Sequence, residues 1–374
     1  MLKLEKKGIS RLLIQTDLDI FSVTFLIYLY KHCFIYEKSS KQCIIFISID
    51  AAPVTEIVKH MVHVAVVGNG RIGRPTAYSL LNTELMGELS LVDIKPGLAW
   101  AFGEELKHAA ASLNSDVKIN TYEVDEGPHN ADLIVVCPGK PRIPGVQKDR
   151  RDLATQNAAT IKLVAESMPS NNPGAKYVII SNPVDAMATL FKKVSKADFV
   201  IGTGDCPDTL RFRSKLSIDL GVPVSKIQGF IGGEHGSAAY PLWSTTTIES
   251  KPIDEYLSIT GKKLNREGVV KYVRAVSKQL VDIIGATEFG PAAGFRDIIK
   301  AILKDEKKLI SFALPHKFKS LPETIHCSVP TTLGKNIGQS IWEKLSKEEQ
   351  ENIISAAKAI YENYQIALES IGAV

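Results

Sequence analysis

The sequence predicts an α/β fold in which a doubly wound parallel sheet is followed by an α+β domain. An apolar, β-branched run at 62–67 leads directly into a glycine-rich turn and then into a helical pattern. Predicted strands and helices then alternate, which is typical of a parallel sheet with helices on both faces. The strands are predicted at 117–122, 132–137 and 176–181, and the helices at 152–167 and 184–194. From about Gly204 the pattern changes character, which places the start of the second domain there.

The length and composition of the chain fit two globular domains preceded by a shorter segment. Its 374 residues can bury a sizeable core, and its hydrophobic content of 45% and charged content of 23% are ordinary globular values. We divide the chain into an N-terminal extension at 1–60, a first domain at 61–203 and a second domain at 204–374. The 45 Lys and Arg residues against 41 Asp and Glu leave a net charge of +4, too slight to indicate a nucleic-acid partner.

The segment before Met61 differs from the rest of the chain. Its apolar runs at 20–30 and 43–49 carry neither a helical nor a strand period, and each is shorter than the roughly 18 residues of a membrane span. Lysines precede the first run as in a signal peptide, but Asp17 and Asp19 interrupt the approach to that run and no clear small-x-small cleavage site follows it. Three interpretations stay open: a start-site artefact with translation beginning at Met61, which we favour, a disordered or peripheral extension, or a membrane anchor.

A glycine-rich turn follows the first predicted strand of the domain at 61–203. It consists of Gly68, Asn69, Gly70, Arg71, Ile72 and Gly73, the Gly-x-Gly-x-x-Gly spacing of a phosphate-binding turn. A side chain at Gly68 would block the turn, one at Gly70 would keep a pyrophosphate off the backbone, and one at Gly73 would push the helix off the strand. The phosphates would then lie at the helix N-terminus. The turn therefore predicts a Rossmann domain that binds a dinucleotide.

An acidic residue at the end of the next predicted strand bears on which dinucleotide binds. Asp93 lies 20 residues after Gly73 (93 − 73 = 20), the distance at which this fold places a ribose-binding carboxylate. Its carboxylate can accept hydrogen bonds from both ribose hydroxyls and would repel a 2′-phosphate, which favours NAD over NADP. Lys95 could tolerate that phosphate, so the choice stays open at this point.

Polar segments follow two of the later strands of the first domain, at the sheet edge where such folds bind ligands. The loop after 132–137 is punctuated by Pro and Gly, and its Arg142 and Arg150 are placed to close over an anionic substrate as a lid. A solvated loop is the alternative. Asn182 follows the strand at 176–181, where it serves either a ligand or a helix start, and we expect Pro183 to be the first residue of that helix.

Two further polar motifs lie in the second domain. Asp208 and Arg211 are three positions apart on a predicted helix and share a face, which is usual for a surface ion pair. His235 is flanked by glycines at the end of a short strand, so that the backbone is free to make an unusual turn and hold the imidazole in the open. A helix near the C-terminus begins with a capping box at 346–349, and we assign it no chemistry.

These motifs, in this order and spacing, resemble the lactate/malate dehydrogenase family from Met61 to Val374. The resemblance implies that His235 is the proton donor and acceptor and that Asp208 is the carboxylate that orients it. It implies that Arg211 binds the C1 carboxylate of the substrate in a two-pronged contact. It also implies that Arg150 polarises the substrate carbonyl, that Asn182 contacts substrate and cofactor, and that Asn157 contacts the cofactor.

The loop position of Arg142 bears on the substrate. Lactate dehydrogenases resemble one another in having glutamine there and malate dehydrogenases in having arginine, and a guanidinium would pair with the second carboxylate of oxaloacetate. The resemblance therefore implies malate as substrate, with lactate or another 2-hydroxy acid as the alternative. The loop is two residues longer than the family pattern Gly-x-x-Arg-x-Asp-Leu, so either Arg150 or Arg151 could polarise the carbonyl, and counting back from Asp152 favours Arg150.

The remaining expectations concern compartment, partners and rival functions. The five cysteines are scattered without a Cys-x-x-Cys pair, which indicates a reducing cytoplasm and no zinc site or disulfide framework. We expect a small-molecule substrate, no nucleic acid, no membrane, no metal, and a homodimer or homotetramer.

A related NAD-using glycosidase would need a metal-binding cysteine and histidine, and a catalytically silent NAD-binding protein would have lost His235 or Arg211.

Overall fold

The computed structural model describes residues 11–16, 33–39, 42–48, 61–81, 83, 85–123, 127–140 and 150–373. For the first three ranges and for residues 150 and 151 it describes the backbone and not the side chains. The chain divides into two compact units, Met1–Met61 and Val62–Val374.

The N-terminal unit contains a three-stranded antiparallel sheet. Its strands are β1 Arg11–Thr16, β2 Cys33–Ser39 and β3 Gln42–Ser48, in the order β1-β3-β2. The sequence did not predict these strands because their apolar residues are consecutive instead of alternating. The apolar run at 20–30 lies outside the described residues, and the three interpretations of the segment at 1–60 stay predictions.

The second unit is built on a sheet of nine described strands, of which six form a parallel Rossmann arrangement. Those six are β4 His63–Val67, β5 Glu88–Val92, β6 Lys118–Tyr122, β7 Leu133–Val136, β8 Lys176–Ile179 and β9 Val200–Gly202. Their order across the sheet is β6-β5-β4-β7-β8-β9, and every neighbouring pair is parallel. The strand order reverses between β4 and β7, which is where doubly wound sheets open their ligand crevice.

Helices cover this sheet as the alternation predicted. They are α1 Gly73–Leu81, α2 Leu98–Ser112, α3 Arg150–Asn171 and α4 Val184–Ser195. The strand β4 is buried at all five residues, with Val64 and Val66 in one apolar core and Ala65 and Val67 in another. A strand buried on both faces has no polar alternation, which explains its continuous apolar run.

Two predicted helix boundaries were wrong. The helix predicted at 152–167 spans 150–171, and it includes Pro169, which lacks the N–H that other residues of the last turn can donate. The helix predicted at 184–194 is found at Val184–Ser195, but the expectation that Pro183 is its first residue was wrong, because Pro183 is extended (φ −68°, ψ 113°) and is the N-cap residue.

The second half of the chain adds three antiparallel strands to the same sheet. They are β15 Lys308–His316, β16 Ile325–Leu333 and β17 Ile337–Ser340, and Ala313 of β15 pairs with Gly202 of β9. The sheet is therefore continuous across the boundary that the sequence suggested at 203/204.

The other elements of the second half surround that extension. The helices are α5 Cys206–Leu220, α6 Ile253–Thr260, α7 Arg266–Ile284, α8 Phe289–Leu303 and α9 Lys347–Ser370, with 3₁₀ turns at Val224–Lys226, Trp243–Thr245 and Trp342–Lys344. The short strands are β10 Ile227–Gln228, β11 Ile231–Gly232, β12 Tyr240–Pro241, β13 Thr247–Ile248 and β14 Lys251–Pro252. Ser346 and Glu349 form the predicted capping box of α9. Within the described ranges, no helix is both long and apolar enough to cross a lipid bilayer.

Candidate active site

The turn between β4 and α1 has the backbone geometry that its glycines were expected to allow. Gly68 adopts φ +92°, and a Cβ there would lie 2.7 Å from the backbone nitrogen of Pro138. A Cβ on Gly73 would lie 1.9 Å from the carbonyl oxygen of Gly68, so α1 packs directly on the turn. A Cβ on Gly70 would have no described atom within 4 Å. The backbone at Gly70 thus faces open space, as a site that admits a pyrophosphate requires.

Asp93 is fixed beside this turn by two backbone donors. The N–H of Asn69 donates to Oδ2 over 2.6 Å, and the N–H of Lys95 donates to Oδ1 over 2.8 Å. The Asn69 amide group in turn donates to the carbonyl of Val92 over 2.9 Å. A carboxylate has about four acceptor positions, so two bonds orient Asp93 and leave capacity for ribose hydroxyls. The predicted spacing therefore does bring the acid to the turn.

The two remaining residues of the turn contact the rest of the protein. Arg71 is exposed, and its Nη1 lies 3.5 Å from the carbonyl oxygen of Ile284, at the end of α7. Ile72 is half-buried and packs against the main core. Both lie next to Gly70 and Gly73, so the structure keeps all six residues of the predicted cofactor turn in one place.

Asn157 links the ends of two neighbouring strands. Its side-chain oxygen accepts from the N–H of Lys140 over 3.1 Å, and its amide group donates to the carbonyl of Asn182 over 2.6 Å. Lys140 follows β7 and Asn182 follows β8. Asn157 thereby holds Asn182 at the carboxyl edge of the sheet, where the sequence placed it.

Asp208 joins the histidine and the arginine of the predicted site. Its Oδ2 lies 2.5 Å from Nδ1 of His235, and its Oδ1 accepts from Nη1 of Arg211 over 2.5 Å. The side chains of Asp208, Arg211 and His235 are 5%, 13% and 21% exposed, respectively. The pair that the sequence alone would place on the surface is therefore part of a largely buried triad, and the imidazole is its most accessible member.

Three elements converge to hold this triad. The N–H of Asp205, at the start of α5, donates to Oγ of Ser328 in β16 over 2.9 Å. Backbone hydrogen bonds in both directions join Ser328 to Gly233, where φ is +106° and the chain turns toward the histidine as predicted. The N–H of His235 donates to Oδ2 of Asp185 in α4 over 2.9 Å. The backbone on both sides of the Asp208–His235 contact is thus fixed by strand β16 and helix α4.

The charge state of Asp208 follows from its neighbours. Burial by itself would raise the pKa of this carboxyl, but the charges and hydrogen bonds of His235 and Arg211 outweigh it and lower the pKa to about 2. Asp208 is therefore an anion at neutral pH. The arrangement can exchange a proton at the imidazole and bind an anion at the guanidinium, two functions that one carboxylate holds together.

The loop that contains Arg142 lies outside the described residues. Arg150 and Arg151 begin α3, but their side chains are also outside them. The predicted roles of Arg142 and Arg150, and the choice between Arg150 and Arg151, therefore stay predictions.

Sequence reasoning gave no role to three residues that hold the site: Asp185, Asp205 and Ser328. Asp185 lies four residues after the end of the strand predicted at 176–181, close to Asn182, which the sequence did single out. Asp205 and Ser328 meet across 123 residues, and no local spacing marks that contact.

Sequence models of two consecutive domains of one family match the chain. The model described as lactate/malate dehydrogenase, NAD binding domain, matches residues 62–199, and the alpha/beta C-terminal domain of the same family matches residues 207–370. Fold and site together thus define an NAD-dependent oxidoreductase. The chain belongs to the lactate/malate dehydrogenase family. The predicted fold class, the family resemblance and NAD as cofactor are confirmed.

Individual relatives include proteins named for either substrate. A malate dehydrogenase of Sulfolobus acidocaldarius is 35% identical over 312 residues, which cover 83% of this chain and 98% of the relative. An L-lactate dehydrogenase 1 of Clostridium acetobutylicum is 30% identical over 315 residues, covering 82% and 98%. The crystal structure of a malate dehydrogenase from Plasmodium falciparum superposes with a TM-score of 0.77 at 26% identity, covering 83% and 100%. The chain is similar to both groups over nearly their full length.

Proposed function

We propose that this chain is an NAD-dependent malate dehydrogenase that interconverts malate and oxaloacetate. The observation that carries the proposal is the Asp208 carboxylate, which holds His235 and Arg211 in one site near the ligand-binding edge of the sheet. A proton donor and an anion-binding guanidinium at a fixed separation suit a 2-keto acid, whose carbonyl is adjacent to its carboxylate.

Each residue of the site has a separate role when oxaloacetate is reduced. Bound NADH supplies the hydride that the substrate carbonyl carbon accepts. Because Nδ1 of His235 faces Asp208, proton transfer to the carbonyl oxygen falls to Nε2, and the Asp208 anion stabilises the imidazolium that precedes it. Arg211 pairs with the C1 carboxylate through donors other than the one directed at Asp208. Asn182 contacts substrate and cofactor, and Arg150 polarises the carbonyl.

The cofactor assignment draws on the residues at the turn. Gly68, Gly70 and Gly73 provide the cradle for the pyrophosphate at the start of α1, together with Asn69, Arg71 and Ile72. The oriented Asp93 carboxylate favours an unphosphorylated ribose. Asn157 holds Asn182 through a hydrogen bond, and Asn182 would contact the nicotinamide end of the cofactor. This supports NAD over NADP.

The substrate assignment draws on Arg142. A second carboxylate would be costly to enclose without a cationic partner, and Arg142 would supply that partner. The malate dehydrogenases of the family resemble this chain in having arginine at the position of Arg142. The higher identity to the malate dehydrogenase named above, 35% against 30% for the lactate dehydrogenase, points the same way. Lactate or another 2-hydroxy acid is the second candidate, because relatives of both kinds match this chain. We also propose a homodimer or homotetramer located in the cytoplasm.

Steady-state kinetics with oxaloacetate, pyruvate and 2-ketoisocaproate, each with NADH and with NADPH, test the assignment. We expect the highest kcat/KM for oxaloacetate with NADH. A higher kcat/KM for pyruvate would replace malate by lactate, and the absence of turnover with all three keto acids would refute the dehydrogenase proposal. Activity that survives a chelator is expected, because no step uses a metal.

A further inference from the structure

Asp205 is a buried acidic residue whose side chain has no hydrogen-bond donor among the described residues. The residue is 0% exposed, and neither carboxyl oxygen has a hydrogen-bond donor among the residues that the structure describes. It is the N-cap residue of α5, yet its side chain makes no capping hydrogen bond. Its backbone is fully engaged, since its N–H donates to Ser328 and its carbonyl accepts from the N–H of Thr209 over 2.8 Å. The backbone of Asp205 is therefore fixed, while its carboxyl oxygens have no donor within the part of the chain that the structure describes.

The carboxyl group of Asp205 lies against the Asp208–His235 pair. One carboxyl oxygen of Asp205, one of Asp208 and one ring nitrogen of His235 all lie within 4.8 Å of one another. As two carboxylates, Asp205 and Asp208 would both be acceptors, and no hydrogen bond could join them. If Asp205 carries a proton, its O–H becomes a donor that the Asp208 carboxylate can accept.

Charged and titratable groups from several elements lie near Asp205. Asp185 of α4 and Glu234 of the loop after β11 add negative charge, and the buried thiols of Cys206 and Cys327 add neutral groups from α5 and β16. Arg211 directs its cation at Asp208. An ionised Asp205 would thus be a buried charge among other anions, which proteins avoid by neutralising the group. Burial first, then Asp208 and Asp185, raise the pKa of Asp205 well above its ordinary value.

We propose that Asp205 is a neutral carboxylic acid in the active enzyme and is a positioning residue that donates its proton in a hydrogen bond to the Asp208 carboxylate. Asp208 then accepts from His235, Arg211 and Asp205, and all three donors fix the plane of the carboxylate that orients the imidazole. A neutral Asp205 also adds no further negative charge beside the Asp208–His235 pair. The proposal rests on the proposed function, because it takes Asp208 and His235 as the acid–base pair.

A bound cation is the rival explanation for three ligand atoms so close together, and the geometry disfavours it. Oδ2 of Asp208 and Nδ1 of His235 are 2.5 Å apart, which is a hydrogen-bond distance. A metal ion bonded to both atoms at about 2 Å would need a narrow angle between the two bonds, which would crowd the ligands. The guanidinium of Arg211 on the same carboxylate would also repel a metal ion.

Infrared spectroscopy of the intact protein tests the protonation state without using activity. At neutral pH the wild-type protein should show the C=O stretch of a buried protonated carboxylic acid, and Asp205→Asn should lack it. Glu234→Gln is the matched control, since it removes a neighbouring buried carboxyl and should keep the band. Absence of the band in the wild type, or its loss in Glu234→Gln instead, would overturn the proposal. This result holds or fails whichever substrate the enzyme uses, so it is separable from the proposed function.

The pH dependence of kcat/KM tests the positioning role. Asparagine reproduces the neutral charge and the donor of a protonated Asp205, so the inflection of the Asp205→Asn profile should stay within about half a pH unit of wild type. Removing a charge this close to His235 would instead move the inflection by more than about one pH unit, which would show that Asp205 is ionised. Asp205→Ala lacks the donor, and its kcat should fall at least about tenfold below that of Asp205→Asn, with the NADH Kd unchanged in both. Equal kcat values in the two variants would contradict a positioning role.

Discussion

Nδ1 of His235 lies 2.5 Å from Oδ2 of Asp208, and this contact joins a loop after a short strand to the first turn of a helix. The same carboxylate accepts from Arg211 through its other oxygen. One side chain therefore sets the separation between the imidazole that is proposed to transfer the proton and the guanidinium that is proposed to bind the substrate anion. Any change that rotates Asp208 is expected to disturb both functions together, which makes the cluster around it sensitive to single substitutions.

Two alanine substitutions in the cofactor turn should separate folding from cofactor binding. Gly73→Ala places a Cβ against the carbonyl of Gly68, so we expect it to lower the free energy of unfolding by about 1–3 kcal/mol. Gly70→Ala meets open space, so its stability should be unchanged while its NADH Kd rises at least about tenfold. Denaturant unfolding and fluorescence titration with NADH measure the two quantities. A loss of stability in Gly70→Ala, or none in Gly73→Ala, would contradict the geometry of the turn.

Asp93→Ser should change the choice of cofactor. The substitution removes the ribose acceptor and also the charge that repels a 2′-phosphate, so kcat/KM with NADH should fall and kcat/KM with NADPH should rise. Lys95→Ala is the control, since its backbone N–H still bonds Asp93 and NADH should still be preferred. An unchanged ratio of the two kcat/KM values in Asp93→Ser would refute the role of this carboxylate.

Stability should depend on pH through Asp205 with a defined sign. The pKa of this carboxyl is raised in the folded protein, so between its unfolded and folded values the native state binds more protons than the unfolded state. The contribution of Asp205 to stability is thus greatest below the unfolded pKa of about 3.9 and is lost as pH rises toward the folded pKa, by up to about 1.4 kcal/mol per pH unit. The free energy of unfolding of Asp205→Asn relative to wild type should therefore increase from pH 5 upward. A difference that is constant with pH would mean that folding does not raise this pKa.

The sequence was sufficient for the cofactor turn because its information is local. Gly68, Gly73 and Asp93 lie within one strand–helix–strand unit, and each is recognised by spacing along the chain. The alternation of strands and helices gave the parallel sheet for the same reason. The strands of the N-terminal unit escaped prediction because their apolar residues lack an alternating period.

The environment of Asp208 could not be predicted from spacing alone. The ion pair with Arg211 follows from helical geometry, but its burial depends on β16 and α4, which are distant in sequence. Asp205 is separated from Ser328, which accepts a hydrogen bond from its N–H, by 123 residues, and the packed interior that the structure describes offers its side chain no donor. Long-range packing of this kind leaves no periodic trace in the chain.

Arg142→Gln should separate malate from lactate chemistry. The distal carboxylate of oxaloacetate would enter a closed site without its cation, at a cost of about 3–5 kcal/mol, so kcat/KM should fall about 10²–10³-fold or more. Pyruvate carries a methyl group there, and its kcat/KM should be unchanged or higher. Lys148→Gln removes a different cation from the same loop and should affect neither substrate.

The alternatives to this outcome point to different roles for the loop. Equal losses on oxaloacetate and pyruvate in Arg142→Gln would indicate a role in lid closure. No loss on either substrate would move the specificity residue elsewhere, to Arg151 or Lys148.

His235 is proposed to transfer the proton when a 2-keto acid is reduced, and the kinetics of His235→Asn with oxaloacetate and NADH test this role. Asparagine keeps a polar side chain of similar width but cannot donate a proton as an imidazolium does, so kcat should fall about 10²–10⁴-fold. The NADH Kd, measured on the same preparation, should stay within about twofold of wild type, because the cofactor turn is built from other elements. A variant with wild-type kcat would contradict the claim.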